Sequence, residues 1–151
     1  MAQSLAVLYV HIVFSTKGRH PFLQDGSFRS EAHTYLGGTS AHLGCPPLVV
    51  GGTKDHVHIL ARQAKNVALS DWIRDLKSNS STWIKEQRPA ISRFAWQAGY
   101  GAFSVDMTRI EVVRNYILGQ EAHHKKVTFQ DELRRILIEH GIEPDEAHLW
   151  D

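Results

Sequence analysis

Two histidines separated by a single residue could together bind a metal ion. His56 and His58 flank Val57 in residues 54–60, a run whose branched side chains predict a β-strand. Successive side chains of a strand point to opposite faces, so both imidazoles would lie on the same face. Imidazole is the commonest metal ligand among side chains. The spacing alone is equally compatible with two histidines that only form hydrogen bonds.

A second group of polar residues recurs at helical spacing. Residues 107–125 predict a helix in which Tyr116, Gln120 and His124 follow one another at intervals of one turn. Two imidazoles and an amide oxygen suit Mg²⁺ or Mn²⁺ better than a structural zinc ion and leave positions for water and substrate. A tyrosine beside such a metal could attack a phosphodiester and form a phosphotyrosine. Alternatively, Tyr116 belongs to an ordinary amphipathic helix and Gln120 is exposed.

Length, charge and cysteine content limit the classes of protein to consider. A chain of 151 residues predicts one domain, residues 1–151, with a core at about 4–126 and an acidic helix and tail at 127–151. Residues 1–126 contain 15 of the 17 Lys and Arg residues but only 9 of the 16 Asp and Glu residues. This basic body is compatible with a polyanionic partner. One cysteine excludes a disulfide framework.

Localisation is predicted from what the sequence lacks. No apolar run is long enough to cross a bilayer, and the first residues do not have the basic start and cleavage site of a signal peptide. We therefore expect a cytoplasmic protein with no membrane partner.

The predicted elements occur in the order strand, helix, strand, strand, helix, strand, and then two helices. The strands are predicted at 5–14, 48–50, 54–60 and 94–105, and the helices at 27–43 (interrupted at Gly37-Gly38), 66–88, 107–125 and 128–141. This order is typical of the ferredoxin-like (split βαβ) α+β fold. We expect an antiparallel sheet of four to five strands, with helices on both faces and the third helix over His56 and His58.

Several separated motifs in this chain occur in the same order in one family. They are Ser15-Thr16-Lys17 with Arg19, Asp55-His56-Val57-His58, Leu76-Lys77 with Ser80-Ser81, Trp96-Gln97 with Gly99-Tyr100, and Tyr116-Ile117 with Gln120 and His123-His124. In these residues, which span nearly the whole chain, the sequence resembles the single-tyrosine transposases of the insertion sequence 200 type. These enzymes are His-hydrophobic-His (HUH) endonucleases.

The resemblance implies a reaction and a role for each residue of the site. His56 and His58 would bind the divalent metal, Gln120 would supply a third ligand, and Tyr116 would cut single-stranded DNA and become joined to its 5′ phosphate. Members of the family recognise DNA hairpins and typically act as homodimers, in some of which the tyrosine helix of one subunit serves the histidines of the other. Gly119 departs from the family, since a polar residue is expected there.

Further residues are candidates for contacts with DNA or with the metal ligands. Lys17, Arg19 and Lys54 are the first candidates for the DNA backbone. The weaker candidates are Arg74 and Lys77 on the second helix, and His124, which could contact phosphate or metal. His11 could support the metal ligands or be a core histidine, and Trp96 and Tyr100 could stack on bases or be core residues.

Two other functions remain open from the sequence. A ferredoxin-like sheet could be a non-catalytic RNA- or DNA-binding module, although the first strand lacks the aromatic signature of RNA-recognition domains. The same metal ligands could instead serve a hydrolase that uses water as the nucleophile.

Overall fold

The computed structural model describes residues 2–151 and contains a four-stranded antiparallel sheet and five α-helices. Met1, the first residue of the predicted domain, lies outside the described residues. The strands are β1 (Tyr9–Ser15), β2 (Pro47–Gly52), β3 (His56–Arg62) and β4 (Gly101–Val105). The helices are α1 (Gly26–His42), α2 (Leu69–Gln87), α3 (Ile110–Leu118), α4 (Gln120–His123) and α5 (Phe129–Glu139).

The strand order β2-β3-β1-β4 confirms the predicted ferredoxin-like arrangement, with the first and third strands at the centre. β1 and β3 pair along their full lengths, so that Val13 is opposite His58 and Ser15 is opposite His56. A slip of one residue would turn every side chain of β3 to the other face. This register therefore fixes the face on which both histidines lie.

Two hydrophobic layers cover the two faces of the sheet, as predicted. One layer contains Ile12 and Phe14 from β1, Val57 and Ile59 from β3, and the buried residues of α1 and α2. The other contains Val13 of β1 and Phe103 of β4, with Phe129, Leu133, Ile136 and Leu137 of α5. Because Val57 and Ile59 face the first layer, His56 and His58 point towards the second.

The sequence prediction was wrong about the ends of two strands. β1 begins at Tyr9 rather than at residue 5, and Leu5 and Leu8 are 83% and 51% exposed. Tyr9 pairs with Arg62 and Val105, the last residues of the neighbouring strands, so earlier residues have no strand to pair with. β4 is only Gly101–Val105, because the chain from residue 94 first buries Phe94 and Trp96 in the layer under α1 and α2.

Two helix predictions also need correction. α1 runs through Gly37-Gly38 without interruption, and there Gly37 packs against Pro47 and Val50 of β2. The helix predicted at 107–125 is instead a 3₁₀ turn at Met107–Arg109 followed by α3 and α4, which are separated by Gly119. Glycine is a poor helix former, costing about 1 kcal/mol relative to alanine in a helix interior.

Within residues 2–151, none of the helices is both long and apolar enough to cross a membrane.

The close approach of α3 to the sheet depends on Gly51 in β2. A Cβ atom at this position would lie 2.6 Å from the carbonyl oxygen of Ile117 and 2.8 Å from its Cγ2 atom. Ile117 is buried and follows Tyr116 directly. Gly51 thus lets α3 lie close enough to the sheet to bring Tyr116 to the histidine face.

We expect Gly51→Ala to destabilise the protein by about 1–3 kcal/mol, the usual cost of overpacking a filled interior. Gly38→Ala is the matched control, because Gly38 is an exposed residue of α1 with no atom near its hypothetical Cβ. There, alanine should stabilise the helix by about 0.5–1 kcal/mol. Urea unfolding of both variants measures the difference, and equal stability of Gly51→Ala and the wild type would contradict the proposed contact.

Candidate active site

His56 is fully buried at the start of β3, and both of its ring nitrogens have partners. Nδ1 lies 2.8 Å from Asp55 Oδ1 and 3.0 Å from Thr53 Oγ1. Burial tends to raise the pKa of Asp55, but its bonds with His56 and Thr53 hold that pKa below its usual range. The ionised carboxylate can only accept, so Nδ1 carries the proton. In the neutral imidazole, the form that binds metals, Nε2 then presents a lone pair to the site.

His58 is also fully buried, and His11 supports it from the neighbouring strand. His58 Nδ1 lies 2.8 Å from His11 Nε2, and the two rings stack with centroids 5.1 Å apart. Burial lowers the pKa of His58 to about 4 and that of His11 to about 3, so both imidazoles are neutral at pH 7. Such partners on the far nitrogen are the usual means of orienting a metal-binding histidine. His11 is thus both buried and in direct contact with a predicted ligand.

Gln120 reaches the same site from the first residue of α4. Its Nε2 donates a hydrogen bond of 3.0 Å to Glu132 Oε2, and its Oε1 lies 3.0 Å from His56 Nε2. The first bond fixes the orientation of the carboxamide, so the oxygen must face the imidazole. An amide oxygen and an imidazole lone pair therefore converge, and a cation that both could bind would relieve their repulsion. The donor set fits the metal ion that the family implies.

Tyr116 lies on α3, next to the histidines of the same chain. Its ring centroid is 5.8 Å from that of His58. Its hydroxyl donates a short hydrogen bond to Glu132 Oε2 and accepts one of 3.3 Å from Arg135 Nη2. Burial and the Glu132 carboxylate raise the pKa of Tyr116 well above its usual range. Without an added positive charge, the phenol keeps its proton.

Glu132 of α5 is the residue of this site that the sequence prediction missed. It is fully buried, and its Oε1 lies 3.0 Å from His58 Nε2 and 3.6 Å from His56 Nε2. Its Oε2 contacts Tyr116 and Gln120 and lies 3.0 Å from His124 Nε2. Burial would raise the pKa of Glu132, but contacts with the His124 and His58 imidazoles hold it well below its usual range.

A signal for Glu132 was present in the sequence. Phe129, Leu133 and Ile136 recur at helical spacing, and Glu132 falls inside this apolar stripe, three residues after Phe129 and four before Ile136. Glutamate is almost never fully buried unless it is paired. A carboxylate on the buried face of a helix therefore predicts a partner of opposite charge or a metal.

Four of these side chains could hold one cation together. The ligand atoms of His56, His58, His124 and Glu132 all lie within 4.8 Å of one another, and the Gln120 oxygen adjoins them. Nitrogen and oxygen donors without thiolates suit Mg²⁺ or Mn²⁺. His124, predicted as a contact for DNA or metal, is thus part of the cluster, with a side chain that is 11% exposed.

The other predicted DNA contacts lie in two regions. Lys17 is exposed in a 3₁₀ turn after β1, and the Arg19 guanidinium lies 5.4 Å from the centroid of the Trp150 ring. Lys54 is exposed between β2 and β3 and lines a cleft of about 560 Å³ with Arg29, His124 and Lys125. Arg19 and Lys54 thus lie on the histidine side of the sheet.

Arg74 and Lys77 lie on α2, which covers the opposite face. Arg74 pairs with Asp71 and Asp75, each at 3.2 Å. The Lys77 ammonium donates to the carbonyl oxygens of residues 97, 98 and 99, and burial lowers its pKa to about 8. Both cations thus already have partners within the chain.

The two predicted stacking residues have different environments. Trp96 is buried, and its Nε1 donates to Ser80 Oγ at 2.9 Å, so it belongs to the core under α2. Tyr100 is 42% exposed, and the Lys77 ammonium lies 5.6 Å from its ring centroid.

A second cleft, of about 450 Å³, adjoins the tyrosine and is called here the Tyr116 cleft. Tyr116 lines it together with Arg109, Arg135, Glu139 and His140. Three basic side chains thus surround a space next to the candidate nucleophile.

The buried histidines predict a loss of stability in mild acid. Burial lowers the pKa of His11 to about 3 and those of His33 and His58 to about 4, against 6.5 in the unfolded chain. Between these values the unfolded state binds protons that the folded state does not, so the free energy of unfolding falls as the pH falls. We expect a progressive loss from about pH 6.5 downwards in metal-free protein.

Urea unfolding at several pH values tests the expected loss of stability in mild acid. His33→Gln removes one buried imidazole and should make the pH dependence shallower, whereas the same change at His20, which is exposed, should leave it as in the wild type. A free energy of unfolding that is constant from about pH 7 to 5 would contradict the prediction.

Two solved structures have a fold similar to that of this chain. A crystal structure of a candidate transposase from Deinococcus radiodurans R1 is similar to this chain with a TM-score of 0.65 and 20% sequence identity, covering 80% of this chain and 95% of that one. A REP-associated tyrosine transposase bound to a REP hairpin is similar with a TM-score of 0.57 and 12% identity, covering 95% and 89%. At these identities the likeness shows the fold alone. No curated protein matches the sequence significantly.

The sequence itself settles the family. A family model described as IS200-like transposase matches residues 4–120, a segment that contains β1 to β4, both histidines, Tyr116 and Gln120. α5 and its Glu132 lie beyond the matched segment. The chain therefore belongs to the IS200-like transposase family.

Proposed function

We propose that this protein cuts single-stranded DNA next to a hairpin and rejoins it through a covalent 5′-phosphotyrosine at Tyr116, with Mg²⁺ or Mn²⁺ as cofactor. One observation carries the proposal. The Tyr116 hydroxyl, the Nε2 atoms of His56 and His58, and the Gln120 carboxamide all adjoin the Glu132 carboxylate within a single chain. A nucleophile and a set of metal-binding groups thus meet in one buried site.

Each residue has a distinct role in the proposed reaction. His56, His58 and Gln120 would hold the metal ion, with Asp55 and His11 orienting the two imidazoles. The ion, when bound, would supply Lewis acidity to the phosphodiester and positive charge that favours the tyrosinate. Arg135 donates to the Tyr116 oxygen and so orients its lone pairs.

The proposed step is a transesterification and needs no nucleotide cofactor. The Tyr116 oxygen forms a bond to phosphorus, and the bond from phosphorus to the 3′ oxygen breaks. The tyrosine gives up its proton and the 3′ oxygen takes one up, so the products are a 5′-phosphotyrosine and a free 3′ hydroxyl. Attack of a 3′ hydroxyl on the phosphotyrosine reverses the step and joins the strands.

A DNA hairpin is the partner that the comparisons favour. The similar REP-associated tyrosine transposase has been solved with a REP hairpin. In the present chain, Lys17, Arg19 and Lys54 are proposed to contact the DNA backbone, with Arg109 and Arg135 in the Tyr116 cleft close to the scissile phosphate. Phosphate oxygens are the usual targets of such basic residues.

The tyrosine and the histidines of one chain already meet in this structure. A homodimer is therefore not needed to assemble the site, although it stays a prediction from the family resemblance. Exchange of α3 between subunits would require the backbone to change conformation in the segments that flank this helix, which are the 3₁₀ turn at Met107–Arg109 and Gly119.

The first experiment measures the covalent intermediate. We expect a denaturation-resistant adduct between the protein and a hairpin-bearing oligonucleotide taken from the DNA flanking its reading frame, in the presence of Mg²⁺ or Mn²⁺. Tyr116→Phe should form no adduct, because the nucleophile is gone. His58→Ala should reduce adduct formation by about 100-fold or more, by analogy with the cost of damaging metal sites.

Tyr100→Phe is the matched control, since it removes the hydroxyl of another partly exposed tyrosine outside the cluster. It should form the adduct as the wild type does. Cleavage that persists in Tyr116→Phe but not in His58→Ala would instead indicate a hydrolase that uses water. Binding that survives EDTA with no cleavage by the wild type would indicate a binding module.

A second experiment distinguishes the two groups of basic residues. Lys54→Gln should weaken binding of the hairpin oligonucleotide and lower the slope of log affinity against log salt by about 0.7–0.9, the value of one phosphate contact. Arg74→Gln should change neither, because Arg74 lies on the opposite face and pairs with two carboxylates. Fluorescence anisotropy at several salt concentrations measures the affinity and its salt dependence. Equal effects of the two substitutions would argue against DNA binding on the face of the sheet that carries the site.

A further inference from the structure

Glu132 has a position that the proposed roles of the other residues do not explain. It is the one charged residue among the buried residues of α5, and its carboxylate is surrounded by four imidazoles (His56, His58, His123 and His124), a phenol and a carboxamide. Burial of an ionised carboxylate is strongly unfavourable unless the group is paired or coordinates a metal.

We propose that Glu132 is an anionic ligand of the metal ion, binding it through Oε1 while Oε2 holds the hydroxyl of Tyr116. This inference rests on the proposed function, because it concerns the same metal ion. It adds a residue from α5, which lies outside the segment that the family model matches.

The spacing of the donor atoms supports a shared cation. Glu132 Oε1 is 3.0 Å from His58 Nε2 and 3.6 Å from His56 Nε2, and Gln120 Oε1 is 3.0 Å from His56 Nε2. Neighbouring ligands in an octahedral site with bonds of 2.0–2.1 Å are about 2.9 Å apart. The two separations of 3.0 Å match this spacing, and the separation of 3.6 Å between Glu132 Oε1 and His56 Nε2 is wider.

Charge gives a second argument. His56, His58 and Gln120 are neutral ligands, whereas Mg²⁺ is a hard cation that is usually bound through at least one carboxylate. Within residues 2–151, Glu132 is the only acidic side chain in the cluster of possible ligands. The nearby carboxylate of Asp55 is engaged on the far nitrogen of His56.

The two oxygens of Glu132 face different partners, which gives the residue a positioning role as well. Oε1 faces the Nε2 atoms of both histidines, and Oε2 accepts from the Tyr116 hydroxyl and the Gln120 amide. One rigid carboxylate therefore sets the position of the nucleophile relative to the metal ligands. Arg135, one turn further along α5, contacts the same hydroxyl.

Mn²⁺ affinity of the metal-free protein in the absence of DNA tests the inference, measured by isothermal titration calorimetry. Glu132→Gln keeps the shape but removes the charge, and Glu132→Ala removes the ligand; we expect both to weaken Mn²⁺ binding at least tenfold. Asp131→Asn is the matched control, since its carboxylate is 67% exposed, pairs with Arg134 and should leave the affinity within twofold of the wild type.

The inference would be overturned if Glu132→Gln bound Mn²⁺ as tightly as the wild type does. Tighter binding would also overturn it, because the carboxylate would then be shown to compete with the metal. A crystal of the wild-type protein with Mn²⁺ keeps the inference testable if the variants do not fold: the anomalous peak should lie at bonding distance from Oε1, and a peak bound by the histidines but not by Oε1 overturns it. Adduct formation by the wild type is measured separately, so failure of the Glu132 inference is distinguishable from failure of the proposed function.

Discussion

The convergence of hydrogen-bond acceptors in a buried space is the constraint on which this structure depends. Asp55 accepts a hydrogen bond from the Nδ1–H group of His56, and the Gln120 amide group donates one to Glu132. These two bonds leave His56 Nε2 and Gln120 Oε1 facing each other at 3.0 Å. Unmatched polar atoms are costly in a protein interior, where the low dielectric strengthens every electrostatic interaction. A positive charge at this point would satisfy both of these acceptor atoms at once.

Three parts of the fold hold this arrangement in place. The pairing of β3 with β1 puts the histidines on one face and His11 beside His58. Gly51 allows α3 to approach the sheet closely enough for Tyr116 to reach that face. α5 then covers the cluster with an apolar stripe that also carries Glu132. The polar residues are therefore positioned by hydrophobic packing around them.

Much of this could be predicted from sequence, because it follows from periodicity. The alternation of side chains in β3 placed His56 and His58 on one face, and the order of elements predicted the strand order and the side on which the third helix packs. The interval of four residues between Tyr116 and Gln120 indicated that they share a site. This holds although the helix ends at Leu118, because helical hydrogen bonds continue through Gly119. Its N–H donates to Asn115 O at 3.0 Å, and its carbonyl oxygen accepts from His123 N–H at 2.9 Å.

Other features depend on tertiary contacts that local patterns do not contain. The start of β1 is set by where Arg62 and Val105 end the neighbouring strands, which no property of residues 5–8 reveals. Lys77 looks like a phosphate contact on an amphipathic helix, but three carbonyl groups from a distant loop bind its ammonium. Glu132 was obscured for a different reason: residues 127–151 are acidic overall, and composition does not distinguish one buried carboxylate from six exposed ones.

α5 contacts the candidate nucleophile from two sides, and this limits how the tyrosine can react. Glu132 accepts the hydrogen bond of the Tyr116 hydroxyl, and Arg135, three residues later on the same helix, donates to its oxygen. Glu132 is a poor proton acceptor, because its pKa is held well below its usual range while burial and the Glu132 carboxylate raise that of Tyr116 above its usual range. The carboxylate can therefore orient the phenol but cannot by itself deprotonate it. In the proposed reaction, activation of the tyrosine would have to come from positive charge at the site, and a metal ion held by the opposite oxygen of the same carboxylate would provide that charge next to the hydroxyl.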